Sequence, residues 1–162
     1  VDTTARTLTF GETRLPCAIG RSGAVPEGDK REGDGATPLG RYAVRTVLLR
    51  PDRVAVPKLA LPWRWLRPSD GWSDGSDDPA YNRPVTHPHA HSAERLWRDD
   101  GLYDVIVTLG HNDAPPVAGA GSAIFLHCWN DGAPTEGCVA VERGALLDLL
   151  ARAPARIEIE IA

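Results

Sequence analysis

Sixteen glycines and fourteen prolines cut this chain of 162 residues into short pieces. The apolar runs between the cuts mostly alternate or are rich in Val, Ile, Leu and Phe over four to eight residues, the signature of strands joined by turns. TLTFGE (7–12) and RLPCAIG (14–20) are close enough to form a hairpin. RYAVRTVLLR (41–50), YDVIVTLG (103–110), SAIFLHCW (122–129) and CVAVE (138–142) each predict a strand, and RIEIEI (156–161) alternates strictly, a strand with one wet face. Two segments predict short helices: SAERLWRDD (92–100), with Ser92 as N-cap, and GALLDLLARA (144–153), which stops at Pro154. Residues 21–40, rich in glycine and charge, read as a loop.

The expected fold is therefore mainly β, a sandwich or barrel with one or two short helices, and α+β is the alternative. The length suits one domain over 1–162. From Pro51 to about residue 100 the text is dense in Pro, Gly and Asp and reads as a long irregular insertion. Trp63, Trp65, Trp72 and Tyr81 argue that this insertion is packed rather than disordered.

Charge and cysteine usage exclude several function classes. The net charge is −4, and the basic residues are scattered and include only Lys30 and Lys58 as lysines, so nucleic acid is not expected as a partner. No run approaches the length of a membrane helix, so no membrane insertion is expected. The chain opens on Val1 rather than Met, so the lack of a visible leader says nothing about compartment. Cys17, Cys128 and Cys138 are too few and too dispersed for a disulfide scaffold or a four-thiolate zinc site. If two of them pair, Cys17 with Cys128 leaves Cys138 free.

His127 ends one apolar strand, and Cys138 opens another eleven residues later, across the loop CWNDGAPTEG. If the two strands are neighbours, imidazole and thiol come to one end of the sheet, where the ring can take the thiol proton. Gly137 permits a sharp turn beside the nucleophile. The N–H groups of Gly137 and Cys138 are candidates to face a developing oxyanion, with the Thr135 hydroxyl beside them. The plain alternative is a core cysteine and a satisfied core histidine.

SAIFLHCWNDGAPTEGCVAV resembles the signature of the YkuD-like L,D-transpeptidase catalytic domain family: a histidine, a spacer, then Ser/Thr-x-Gly-Cys. KREGDGATPLGRY resembles that family's upstream Thr-Pro-x-Gly stretch. GWSDGSDDPAYNRPV, SAERLWRDDGLYDVIVTLGHND and GAGSAIFLH resemble a bacterial branch of it, so the likeness covers roughly residues 14 to 161. It implies a cell-wall transferase acting on peptidoglycan. Cys138 would attack the L,D bond of a donor stem peptide, and the thioester would pass to an amine of an acceptor stem. His127 would be the base and no cofactor would be needed. The resemblance further implies a role in cell-wall biogenesis and cell shape, a periplasmic or other extracytoplasmic site of work, and covalent inhibition by carbapenem β-lactams.

Two positions depart from the family pattern. Cys128 stands where many members have the glycine whose carbonyl orients the imidazole, and Ala140 stands where many have an arginine. Arg83, in YNRPV, is the expected replacement, holding a stem carboxylate through two parallel hydrogen bonds; a loop arginine paired with an aspartate is the plain alternative. Tyr81, Trp129 and His111 complete the expected substrate-lining set, although His111 also fits an exposed turn. The other readings of the function are an L,D-carboxypeptidase or hydrolase using the same thioester, and a non-catalytic peptidoglycan-binding module.

The remaining motifs have plain readings. HPHAH spaces His87, His89 and His91 as a zinc site on a strand would, but Pro88 interrupts it and no fourth ligand is evident, so a solvated loop without metal is expected. EGDGATPLG lacks the Lys-Ser/Thr ending of a phosphate-binding loop. Glu94 is expected to anchor its helix against an arginine.

Overall fold

The structure, a computed structural model, describes residues 1–55 and 58–162. Its fold is mainly β, a sheet curled into a half-barrel with one α-helix among the described residues. Strands β1 (Thr7–Phe10) and β2 (Thr13–Pro16) form the expected antiparallel hairpin. That hairpin is a sheet of its own, and the main sheet contains β3 (Ala24–Pro26), β4 (Thr37–Leu49) and β5 (Trp63–Trp65). A three-residue 3-10 turn, Glu27–Asp29, follows β3. Strands β6 (Asp70–Ser73), β7 (Pro84–Thr86) and β8 (Ala93–Arg95) form a separate three-stranded sheet in the order β7-β6-β8. Then come β9 (Val105–Leu109), β10 (Phe125–Cys128), β11 (Val139–Val141), helix α1 (Arg143–Arg152) and β12 (Glu158–Ile161).

The main sheet runs β11-β10-β9-β4-β12, with β3 and β5 also paired to β4. Strand β4 makes this possible by serving different neighbours along its length. Its first residues pair with β3 and β12, and its last with β9 and β5. The register with β9 slips between Val44 and Thr46, the kind of irregularity that bends a strand and curls its sheet.

Strand parity separates two apolar layers. Val105, Val107, Leu109, Leu126 and Cys128 face one way and pack with Leu146, Leu149 and Leu150 of α1. Ile106 and Phe125 face the other way and pack with Leu48, Leu66, Leu96, Tyr103 and Cys138. The helix begins where the Glu142 side chain accepts the Ala145 N–H at 2.7 Å, which satisfies one of the free donors of its first turn. No helix among the described residues is long and apolar enough to cross a membrane.

Three sequence expectations need correction. The expected helix over 92–100 is instead β8 followed by irregular chain: Trp72 pairs with Glu94 and Ser73 with Ala93. Its apolar residues Leu96 and Trp97 are adjacent, not at helical spacing. Leu96 is fully buried and Trp97 lies under the Arg50 guanidinium at 3.8 Å, so tertiary packing overrides a weak helical preference. Ser92 caps nothing; its carbonyl accepts from Asp74 and Gly75. The expected loop over 21–40 carries β3 and the start of β4, paired to each other in parallel. Within the stretch expected to be irregular, the β6–β7–β8 sheet covers one face of β10, where Trp72 meets Phe125 edge-on at 5.2 Å.

Candidate active site

Strands β10 and β11 are parallel neighbours, with Leu126 opposite Val139 and His127 opposite Ala140. Parity then puts His127 on the face of Phe125, and Cys138, one residue before β11, on the face of Ala140. All four look away from the helix. Thiol and imidazole accordingly line one cleft of 610 Å³, with Thr135, Trp129 and Ala140. That is an ordinary size for a small-molecule or peptide site.

The thiol is sheltered. Cys138 is 8% exposed; its Sγ–H donates to the Ala123 carbonyl at 3.1 Å and its sulfur accepts the Phe125 N–H at 3.3 Å. Burial, reinforced by the nearby Glu94 charge, pushes its pKa up to about 12. His127 is 4% exposed, and its Nδ1 lies 2.7 Å from the Cys128 carbonyl. That carbonyl can only accept, so the proton sits on Nδ1 and Nε2 keeps its lone pair. Burial depresses the imidazole pKa to about 4, against the pull of the Cys128 and Leu102 carbonyls. No hydrogen bond joins His127 to Cys138 among the described residues. The resting pair is a neutral thiol and a neutral imidazole in one cleft.

Gly137 adopts φ +135°, and a Cβ there would lie 2.8 Å from the Ala36 carbonyl oxygen, so only glycine fits. Its N–H donates to Thr135 Oγ1 at 3.2 Å, and the Thr135 hydroxyl donates to the Cys138 carbonyl at 2.6 Å. The loop is pinned from below, where Thr135 N donates to Ile19 O and Arg21 N to Thr135 O. This corrects the expectation of two oxyanion donors. The Gly137 N–H is already committed to Thr135, which leaves the Cys138 N–H.

Three residues expected to line the site lie off it. The Arg83 guanidinium donates to the Asp113 carbonyl at 2.6 Å and to that of Asn82 at 3.4 Å, tying two loops together. Tyr81 is 4% exposed and donates its hydroxyl to Glu32, so it backs a lining residue rather than lining the cleft itself. His111 is buried, not exposed on a turn; its Nε2 contacts the Ala120 carbonyl at 3.1 Å and its ring meets Tyr42 edge-on. In HPHAH, His89 reaches Asp78 at 2.6 Å and His91 lies 3.5 Å from Asp77. Among the described residues no three His, Cys, Asp or Glu side chains are grouped to hold a metal. All three cysteines are free, although Cys17 and Cys128 share one apolar layer.

Among the cleft-lining residues that the sequence reading did not place in the site are Glu94, Arg98 and Tyr103. Tyr103 meets His127 edge-on and donates its hydroxyl to Glu94 Oε1 at 2.6 Å. Arg98 pairs with Asp100 and lies 5.2 Å from the Tyr103 ring centroid. Burial raises the Glu94 pKa, while the Tyr103 hydroxyl and Arg98 pull it down. Alternation within β8 would have aimed Glu94 at the site, but that signal is lost once the segment is read as a helix.

A family model described as the L,D-transpeptidase catalytic domain, YkuD, matches residues 1–161. No curated protein and no solved structure matches the chain.

Proposed function

The chain belongs to the YkuD family of L,D-transpeptidase catalytic domains, and on that premise we propose that it is a peptidoglycan L,D-transpeptidase working through a Cys138 thioester. One observation carries the reading: Cys138 and His127 open into one peptide-sized cleft, and the imidazole is already anchored through Nδ1 with its second nitrogen unprotonated.

The donor is a stem peptide whose diamino acid precedes a terminal D-residue. With burial pushing the thiol up to about 12 and the imidazole down to about 4, the resting pair stays neutral instead of forming thiolate and imidazolium in advance. The proton therefore moves to Nε2 of His127 as Sγ attacks the carbonyl carbon. The carbonyl oxygen gains charge beside the Cys138 N–H. Collapse expels the D-residue, whose amine takes the proton from His127. An amine of a second stem then attacks the thioester, and the thiol is restored. Thr135 holds the nucleophile loop, the Cys128 carbonyl orients the imidazole, and Trp129 walls the groove. Such work lies outside the cytoplasmic membrane, where peptidoglycan is.

The test is incubation of the purified protein with disaccharide-tetrapeptide muropeptides. Transfer yields cross-linked dimers that Cys138→Ala abolishes. Tripeptide without dimer means hydrolysis by the same thioester. Binding without any turnover or adduct means a recognition module.

A further inference from the structure

Transfer to an amine poses a proton problem that hydrolysis does not. Near neutral pH the acceptor arrives as an ammonium, R–NH3+, which is not nucleophilic. It must lose one proton before attacking and a second as the amide forms. His127 can carry only one of these, the one returned to sulfur.

The cleft holds a second base. Glu94 lines it together with Cys138, His127 and Tyr103. Its Oε1 accepts the Tyr103 hydroxyl at 2.6 Å; its Oε2 has no hydrogen-bond partner, and the carboxyl no salt bridge, among the described residues. The carboxyl is half-buried, with one hydrogen bond and no ion pair, and an alkylammonium entering the cleft would complete it. The groups around Glu94 are the Tyr103 hydroxyl and the Arg98 guanidinium, which favour its charge, and Asp74, Glu32 and the Cys138 thiol, which do not. Glu32, Asp74, Glu94 and Glu136 lie on the wall with Arg98 and the neutral His127, and among the described residues no lysine and no other arginine lines it; Arg98 is paired with Asp100 and Glu136 with Arg21, which leaves a lining suited to a cation.

We propose that Glu94, positioned by Tyr103, receives the acceptor ammonium and takes its first proton, which makes it the residue that favours transfer over hydrolysis. This rests on the transfer reading above. R–NH3+ gives one proton to the Glu94 carboxylate, and the freed amine attacks the thioester carbon. The C–N bond forms and the C–S bond breaks. The second amine proton passes through His127 Nε2 to Sγ, which returns the thiol. Protonated Glu94 then releases its proton to solvent. The net change is one amide formed, one thioester consumed and one proton released.

The test uses the disaccharide-tetrapeptide as both donor and acceptor, with the dimer-to-tripeptide ratio measured within each variant from about pH 6 to about pH 9. Glu94→Gln is expected to lower that ratio roughly a hundred-fold at neutral pH. The deficit should narrow as pH rises and free amine becomes abundant. Tyr103→Phe keeps the carboxylate but removes its donor, so the acid limb of the ratio should move to higher pH; this arm remains informative if Glu94→Gln folds poorly. A wild type that makes dimer and a Glu94→Gln protein with an unchanged ratio would overturn the role of Glu94 alone. So would a defect confined to the KM of the donor. A wild type that releases only tripeptide would overturn the transfer reading and the acceptor site together.

Discussion

Tyr103 stands edge-on to His127, ring centroids 5.2 Å apart at 81°. The imidazole is thus gripped on two sides, by an aromatic edge and by the Cys128 carbonyl at 2.7 Å. Aromatic contacts of this kind contribute about 1 kcal/mol beyond the area they bury. Tyr103→Leu should therefore slow acylation of Cys138 by roughly ten-fold, more than Tyr103→Phe does. Stopped-flow measurement with a chromogenic carbapenem would separate the two.

Intact-mass analysis after carbapenem exposure should show a single adduct, on Cys138. Cys128, 2% exposed with its thiol pushed up to about 12, and Cys17, 5% exposed, should stay unmodified. An adduct that persists in Cys138→Ala would contradict the assignment of the nucleophile.

The acylation rate should respond to pH through His127. A ring with pKa about 4 is unprotonated throughout the neutral range, so the rate should be flat from about pH 8 down to about pH 6 and fall only toward pH 4. An acid limb centred near the ordinary histidine value of 6.5 would contradict the burial of the ring.

The same ring sets an acid liability in folding. Between 6.5 and about 4 the unfolded chain binds a proton that the folded chain refuses, so stability falls as pH drops through that window. The full loss is about 3 kcal/mol, reached below pH 4. Urea unfolding at pH 7 and in mild acid should show this slope in the wild type and a shallower one in His127→Gln. Cys138 acts at the other extreme. Above about pH 9 the unfolded thiol ionises and the folded one does not, so stability falls again as pH rises toward 12.

Gly137→Ala should cost stability and activity together. The added methyl would meet the Ala36 carbonyl at 2.8 Å in a backbone conformation that L-residues avoid. A loss of roughly 1–3 kcal/mol in thermal unfolding and failure of carbapenem acylation are expected. Thr135→Val tests the same loop differently, removing the acceptor of the Gly137 N–H and the donor to the Cys138 carbonyl while keeping the shape.

The sequence carried the strands that build the site because their signal is local. FLHC and VAV are wholly buried, and their spacing across one loop is enough to make β10 and β11 neighbours. Cys138, His127, Thr135 and Trp129 were legible for that reason. Glu94, Arg98 and Tyr103 were not, because they reach the cleft from β8 and the chain after it, and a three-residue strand has too little periodicity to betray its pairing. Arg83 misled in the opposite way. A guanidinium in a polar loop looks free in sequence, whereas here two backbone carbonyls occupy it.

Peroxide and disulfide reagents attack the thiolate, not the protonated sulfur. The hydrogen bond from Cys138 to Ala123 and the raised thiol pKa thus do more than hold the nucleophile in reserve. They leave a protein with three free cysteines able to meet an oxidising medium without losing its cleft sulfur to sulfenic acid, and tie that sulfur's vulnerability to the moment its proton is drawn away.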